Sequence, residues 1–433
     1  MLTMVGWFPH VFNKMNENSR SVVLFTGISH AIVHTYELSI PILVVIWLLE
    51  FPVSTAILGA VVSVGYALFG IGALPGGLLA DRFGSRTLIL ACLGGMGLSF
   101  ALLSFANGIV TIAIALAAWG IAASVYHPSG LALISTSVEN RGSAFAYHGM
   151  AGNIGIAFGP LITALLLITF DWRIVTRLLV IPAVIAIGYA MTTEFDETAA
   201  VSVDDGTKQS KSMSVSEFVD SSRALFTAGF ALAMLIVMMN GLFYRGMLTF
   251  LPEVFDQFLP PVTDFVQLFE PGSPMAEEFK LSSYLYVGLL TIGIGGQYVG
   301  GKISETIPST TGLAVVFGSL VVVTVSFVPA ARGGVMTLFI VSALLGFLLF
   351  ALQPLYQATI ADHSPPDGRG LSYGYTYLTS FGVGATGAAI AGYLLSVSSV
   401  DGTFLTLAAF PALGLLFAFV LSRRRSSTQE VGV

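Results

Sequence analysis

The chain has 433 residues, of which 55% are hydrophobic and 10% are charged, and its mean hydropathy is +0.86. Soluble proteins contain about 25% charged residues, so this composition indicates a chain that lies mostly in a lipid bilayer. The formal net charge of −6 argues against a nucleic-acid partner. The single cysteine, Cys92, excludes a disulfide framework and any multi-cysteine metal site.

Twelve apolar runs are long enough to cross a membrane, which takes about 20 residues each. The first six are predicted near 21–51, 54–80, 87–106, 109–136, 142–170 and 173–193. The second six are predicted near 224–252, 281–304, 311–331, 334–360, 370–396 and 401–422. We therefore expect an all-α integral membrane protein with one bundle in 1–193, an acidic cytoplasmic linker in 194–222 and a second bundle in 223–433.

The distribution of Lys and Arg predicts the orientation, because cytoplasmic loops carry an excess of these residues. An even number of spans puts both termini on one side, which receives thirteen Lys and Arg against four on the other. We therefore predict cytoplasmic termini in the cytoplasmic membrane. The first 20 residues lack the features of a signal peptide and predict an interfacial helix. The polar linker is expected to be flexible, and the acidic segment 253–280 is long enough to fold over the outer mouth.

Three pairs of similar stretches relate the two groups of spans. They are GLLAD (77–81) with GKISE (301–305), YHPSGLALIS (126–135) with LQPLYQATIA (352–361), and HTYELSIP (34–41) with RGMLTFLP (245–252). His127 thereby aligns with Gln353, and His34 aligns with Arg245. Three such pairs at corresponding places indicate a duplicated arrangement of two pseudo-symmetric six-helix bundles.

The first span contains polar residues on one face. His30, His34, Glu37 and Pro41 are spaced i, i+4, i+7 and i+11, and these intervals fall on the same side of a helix. A charge at the bilayer centre costs about 2.5–3.5 kcal/mol on insertion scales. This face should therefore point into the bundle, and Pro41 can bend the helix there.

Three interpretations of this face remain open. The residues can line a substrate cavity and exchange a proton, since an unperturbed histidine titrates near ~6.5. They can be structural and form hydrogen bonds between helices. The His-x-x-x-His spacing can also be a metal pair, although it lacks the intervening glutamate of the zinc-hydrolase motif.

Further candidates lie in other spans. His127 precedes a proline in the fourth span, and either a cavity role or a satisfied structural role fits it. Arg245 lies inside the seventh span, where it can pair with Glu37, hold an anionic substrate or extend its head to the interface. The remaining candidates for substrate or proton binding are His148, Asn153, Tyr244 and Gln353.

The stretch GGLLADRFGSR (76–86) resembles the signature loop of the major facilitator superfamily, Gly-x-Leu-Ala-Asp-Arg-x-Gly-Arg-Lys. The matching residues are Gly77, Leu79, Ala80, Asp81, Arg82, Gly84 and Arg86, while Ser85 replaces a base. The resemblance implies the two-bundle fold of that family and transport by alternating access. This loop and its repeat supply the candidate gating residues Gly77, Asp81, Arg82, Gly84, Arg86 and Glu305, although the arginines can also serve only to set the orientation.

The fifth span is similar to an antiporter motif, Gly-x-x-x-Gly-Pro, through Gly155, Gly159 and Pro160, which we expect to support close helix packing. Thr163 departs from that motif, and the fourth span lacks the arginine of many drug–proton antiporters. A closer resemblance is to the fosmidomycin-resistance-like branch. It rests on His30, His34, Pro41, His127, Pro128, Arg141, Gly142, Gly155, Gly159 and Pro160.

These observations predict a secondary transporter that moves a small organic solute, anionic or amphipathic, by proton-coupled alternating access, with export favoured. Coupled uptake of an organic anion by protons or sodium is the alternative. A membrane-embedded metalloenzyme and a non-transporting sensor are the rival classes. No P-loop is present, so we expect no cofactor and no enzyme activity. The expected partners are the solute, a coupling proton and the lipid bilayer, and we expect a monomer.

Overall fold

The computed structural model describes residues 15–139, 141–200, 215–259, 280–364 and 369–430, and every regular element in these ranges is a helix. The first six spans are α1 (Glu17–Glu50), α2 (Thr55–Ile71 and Ala73–Phe83), α3 (Ser85–Leu103), α4 (Ile109–Ser124 and Tyr126–Ser137), α5 (Arg141–Leu167) and α6 (Trp172–Leu178 and Val180–Thr192). The second six are α7 (Ala228–Asp256), α8 (Leu281–Thr306), α9 (Ser309–Arg332), α10 (Val335–Asp362), α11 (Arg369–Tyr377, a π-helical turn Leu378–Val383, and Thr386–Val397) and α12 (Val400–Leu407 and Ala409–Glu430).

The twelve helices agree with the twelve predicted spans within a few residues at their ends. Eleven of them are long and apolar enough to cross a membrane. The twelfth, α8, has 26 residues but contains six glycines together with serine, tyrosine and glutamine, which lower its hydropathy. Its length and its place in the bundle are those of a membrane span, so the fold is an all-α integral membrane bundle.

Helix packing repeats after six helices. Within the first six, α1 packs on α5, α2 on α4, α3 on α4, and α3 on α6. The second six show the equivalent contacts of α7 with α11, α8 with α10, α9 with α10, and α9 with α12. The contacts between the two groups obey the same rule, because α2 packs on α11 and α5 packs on α8, while α1 meets α7. The molecule is therefore two pseudo-symmetric six-helix bundles.

The contact between α2 and α11 is close because glycines line it, and we call it the α2–α11 seam. A Cβ on Gly59 would lie 2.7 Å from the Ala388 carbonyl oxygen, and one on Gly392 would lie 2.3 Å from the Thr55 oxygen. The missing side chains allow hydrogen bonds between the helices, including Ser63 Oγ to the Ala385 oxygen at 2.7 Å. The seam holds the two bundles together at the end of the molecule away from the termini.

The connection between the bundles is more ordered than the sequence predicts. Val215–Leu225 is a helix, although the linker was expected to be flexible. Asn18 on α1 donates to the Asp196 oxygen at 3.1 Å, and the Ala200 amide donates to the Thr136 oxygen at 2.9 Å. Residues 201–214 lie outside the described residues, as do 1–14 of the expected interfacial helix and 260–279 of the expected outer segment.

Candidate functional site

Four buried histidines come together in the first bundle. His30 and His34 lie on α1, one turn apart. His127 follows the break in α4 at Val125, and His148 lies on α5. The His30 ring stacks on the His148 ring with centroids 4.0 Å apart and meets the His127 ring edge-on at 5.3 Å.

Glycine on α5 makes room for this cluster. A Cβ on Gly152 would lie 2.5 Å from His30 Cε1, so only glycine leaves the space that the ring occupies. The next glycines continue the same close approach, because a Cβ on Gly155 would lie 2.1 Å from the Ala31 oxygen and one on Gly159 2.5 Å from Thr35 Cα. The helix-packing candidates of α5 therefore face α1, where Ser39 bonds Thr163 at 2.7 Å. Pro160 and Pro41 are buried within helices α5 and α1, respectively.

Hydrogen bonds join the polar face of α1 in series. His30 Nδ1 donates to the His148 carbonyl oxygen at 2.8 Å. His30 Nε2 and His34 Nε2 lie 3.0 Å apart, and His34 Nδ1 lies 2.6 Å from Glu37 Oε2. We call these four groups the proton chain: the His148 carbonyl, the His30 ring, the His34 ring and the Glu37 carboxylate.

An ion pair crosses from the proton chain to the second bundle. Arg245 Nη2 on α7 donates to the second oxygen of Glu37, and the two side chains are 3% and 1% exposed. The guanidinium stacks on the Tyr66 ring at 3.9 Å and lies 5.1 Å from the Phe381 ring. Arg245 is thus enclosed and does not extend to the interface. Glu37 is the only buried acid in the part of the chain that the structure describes.

Both bundles line a central cavity of about 910 Å³. Its walls include Ser135 near the end of α4, Phe145 near the start of α5, Phe218 in the connecting helix, and Tyr373 near the start of α11. All of these positions lie at the end of the molecule where α1 begins. The cavity therefore opens at the end that carries the termini, and Glu37 and Arg245 lie at its closed end, since no lining residue of α1 or α7 lies beyond them.

The two walls of the cavity differ in chemistry. The first-bundle wall carries His30, His34, Glu37, His127, His148 and Asn153. The second-bundle wall carries a single charge, Arg245, and many neutral polar groups, which we call the amide–tyrosine wall: Asn240, Tyr244, Gln297, Gln353, Tyr356, Gln357, Tyr373 and Tyr377. All nine predicted substrate- or proton-binding residues line this one cavity.

The sequence missed much of the amide–tyrosine wall. Gln297, Gln357 and the tyrosines of α10 and α11 were not among its candidates. Glutamines inside apolar spans are a usable signal, because a primary amide in lipid needs a partner. Tyrosines provide little signal, since they are common in membrane helices.

The predicted gating residues are placed apart from one another. Gly77 lines the cavity, and Gly84 ends α2 with φ of 83°, a left-handed conformation that favours glycine. Arg86 donates to the Ala190 and Thr193 oxygens of the same bundle, so it makes no contact across the bundle interface in this conformation. Three further candidates lie near the open end. Arg82 is exposed, Glu305 pairs with Lys302 at 2.8 Å, and the Asp81 side chain lies outside the description.

The histidine cluster can also be compared with a metal site. Nitrogen atoms of His30, His34 and His127 lie within 4.8 Å of one another, which is close enough for three ligands of one ion. In this geometry the His30 and His34 nitrogens bond each other directly. The arrangement is therefore suited first to holding a proton, and a metal is the rival occupant.

A bundle of membrane-spanning helices around a polar cavity open at one end is the architecture of a membrane transport protein. The sequence model of the Major Facilitator Superfamily matches residues 25–388, so the chain belongs to this family. It is therefore a multi-pass membrane protein of a transporter family.

Relatives and solved structures show the same family and fold. An uncharacterized MFS-type transporter of Mycobacterium tuberculosis is 40% identical over 101 residues, which are 23% of this chain and 24% of that protein. The chain thus matches about a quarter of the length of that relative. The uncharacterized MFS-type transporter YfnC of Bacillus subtilis is 25% identical over 359 residues, 81% of this chain and 76% of that protein. The crystal structure of a bacterial homolog to the human lysosomal transporter Spinster, in an inward-facing and occupied conformation, matches with a TM-score of 0.70 at 14% identity and covers 94% of this chain and 96% of that one.

Proposed function

We propose that the protein is a proton-coupled secondary transporter of a small organic solute, with the proton held in the proton chain and the solute in the central cavity. The observation that carries this proposal is the number of hydrogens that the proton chain needs. Three hydrogen bonds join its four groups, and each bond contains one hydrogen. A carbonyl and an ionised carboxylate supply none, while two neutral imidazoles carry one N–H each. The third hydrogen is therefore one additional proton.

The additional proton changes the charge of the site. Glu37 and Arg245 neutralise each other, so the bound proton leaves the cluster with a net charge of +1 at the closed end of the cavity. Losing the proton must break one of the three hydrogen bonds. Histidine exchanges protons near neutral pH, whereas arginine stays charged. The state of the proton chain therefore alters the bond between α1 and α7.

The Glu37–Arg245 pair gives the proton a way to act on the conformation. The pair and the α2–α11 seam join the two bundles at the closed end, and alternating access has to break such contacts when that end opens. A proton on Glu37 weakens the pair, and a carboxylate on the solute competes with Glu37 for Arg245. An anionic or amphipathic solute thus fits the site.

We further propose that the termini are cytoplasmic, so that the cavity opens toward the cytoplasm in the cytoplasmic membrane. The excess of Lys and Arg on that side supports this orientation. The Gly-x-x-x-Gly-Pro pattern of α5 supports exchange of proton for solute, and hence export. The histidine positions support placement in the fosmidomycin-resistance-like branch. Coupled uptake is the alternative direction.

Reconstituted protein tests the coupling. A thermal-shift screen of small carboxylates and amphipathic drugs, at about pH 6 and about pH 8 on either side of the histidine value of about 6.5, selects a solute. That solute is then exchanged across liposomes that contain a pH-sensitive dye. Wild type is expected to move protons against solute, whereas Glu37→Gln and His34→Ala should exchange solute and leave the dye at the level of empty liposomes.

A matched control is Glu50→Gln, which alters a carboxylate at the outer end of α1 that pairs with Arg173 at 2.6 Å. It should retain the wild-type dye response. Wild-type proton movement in both Glu37→Gln and His34→Ala would contradict the proposal. A stoichiometric metal in the purified protein that is lost in His34→Ala would favour a metal site instead.

A further inference from the structure

The polar groups on the amide–tyrosine wall have a composition of their own. Four primary amides and four phenols face the cavity from α7, α8, α10 and α11, and Arg245 is the only charged group among them. The opposite wall has one amide, Asn153, and no tyrosine. A proton site needs none of these neutral groups, so the coupling mechanism leaves them without a role.

Two atoms of this wall lack a hydrogen-bond partner. Asn240 is 6% exposed, and its Oδ1 is buried without a partner; Gln297 Oε1 is likewise unpaired. Gln297 Nε2 donates to Gln353 Oε1 at 3.2 Å, so these two amides are already aligned side by side across α8 and α10. Buried polar atoms are nearly always satisfied, and an exception on the wall of a cavity indicates a binding group.

The chemistry of amides defines what they can bind. Each primary amide offers two donor hydrogens and an acceptor oxygen. A row of them matches a ligand whose own groups both donate and accept, such as neighbouring hydroxyls or an amide. The tyrosine rings add flat apolar faces and further hydroxyls. A plain hydrocarbon body would leave the amides unpaired, and a second charge would find no counter-ion on this wall.

We propose that the amide–tyrosine wall binds the uncharged body of the solute, and that this body is rich in hydroxyl or amide groups. The inference rests on the proposed function, because it assigns the carboxylate of the same solute to Arg245. The substrate class is therefore a small polyhydroxylated or amide-bearing monocarboxylic acid. The two bundles then divide the work, with the proton on the first and solute selection on the second.

Binding to the purified protein tests this class. The probes are gluconate, with a row of hydroxyls, N-acetylglycine, with an amide, and hexanoate, an acid with neither. At least one of the first two should bind about tenfold or more tightly than hexanoate, because a polar site penalises an analogue that lacks the groups it pairs with. Gln353→Leu and Asn240→Leu should reduce that preference to near unity.

Gln257→Leu, which changes an exposed glutamine at the outer end of α7, is the matched control and should keep the preference. Equal or tighter binding of hexanoate, failure of all three probes to bind, or a preference that survives both wall substitutions would overturn the inference. Glu37→Gln separates the two proposals. If it loses proton movement while the probe preference disappears only in the wall variants, both stand; if it moves protons like wild type, only the coupling proposal fails.

Discussion

Helices α1 and α7 occupy equivalent places in the two bundles, and they are the two most buried of the candidate spans. Each presents polar groups to the same cavity, but the groups differ in kind. α1 carries His30, His34 and Glu37, whose charges change with proton binding, while α7 carries Arg245, whose charge is fixed. A duplicated fold has thus kept one titratable copy and one permanent copy of the same position.

That difference explains how one proton can influence a large structure. If both helices carried fixed charges, the Glu37–Arg245 pair would be a constant clamp. If both were titratable, the clamp would disappear at moderately acidic pH. With one partner of each kind, the strength of the contact follows the proton content of α1 alone. The following experiments test whether the two helices have these separate roles.

The largest effect is expected from removing the fixed charge. Arg245→Met leaves a buried carboxylate without its cation, and breaking a buried pair from one side typically costs about 3–5 kcal/mol. The double variant Arg245→Met with Glu37→Gln should recover most of that loss, because no unpaired charge remains. Thermal or denaturant unfolding in detergent measures both values.

The exposed pair of Arg332 and Asp401 provides the control for this prediction. Their side chains are 61% and 35% exposed, and the guanidinium makes two bonds of 2.8 and 2.6 Å. Asp401→Asn should cost only about 0–1 kcal/mol, as surface pairs do. A loss in the Arg245 single variant no greater than this would mean that Glu37 and Arg245 are not coupled.

These charged residues are the part of the site that the sequence could predict. An ionised group in a membrane span must find a partner, and Glu37 and Arg245 were the only suitable pair, so their contact follows from the cost of burying charge. The periodicity of His30, His34 and Glu37 likewise fixed the face of α1 that turns inward. The twelve spans followed from hydropathy, with α8 the least apolar because of its glycines.

The remainder depended on tertiary contacts without a sequence signal. Arg86 resembles a gate residue, yet it binds backbone oxygens at the end of α6, which any sequence can provide. The order of the proton chain depends on the direction of each imidazole nitrogen, and spacing along a helix does not define that direction. The helix Val215–Leu225 is short and polar, and it lies in a stretch whose composition is typical of flexible linkers.

A smaller effect is expected from the glycine that accommodates His30. In Gly152→Ala the new methyl group would lie 2.5 Å from the ring, so His30 must shift away from the His148 carbonyl. We expect the proton response in liposomes to fall several-fold, together with a stability loss of about 1–3 kcal/mol from overpacking. Gly149→Ala is the control, since it lines the same cavity one turn earlier on α5 and its Cβ would contact nothing within 4 Å. Equal proton responses in the two variants would show that the position of His30 is not critical.

The smallest effect is expected from Tyr126→Phe, and it tests where the proton chain ends. The Tyr126 hydroxyl donates to the Thr26 oxygen and lies 3.1 Å from His148 Nε2, so it contacts the ring of His148. The chain as counted ends at the backbone oxygen of His148, and its ring is not a member. Removing the hydroxyl should therefore cost about 0.5–1.5 kcal/mol of stability, the usual value of one hydrogen bond, and leave the proton-to-solute ratio unchanged. A changed ratio would mean that protons continue through the His148 ring to Tyr126, and the count of one additional proton on α1 would then be wrong.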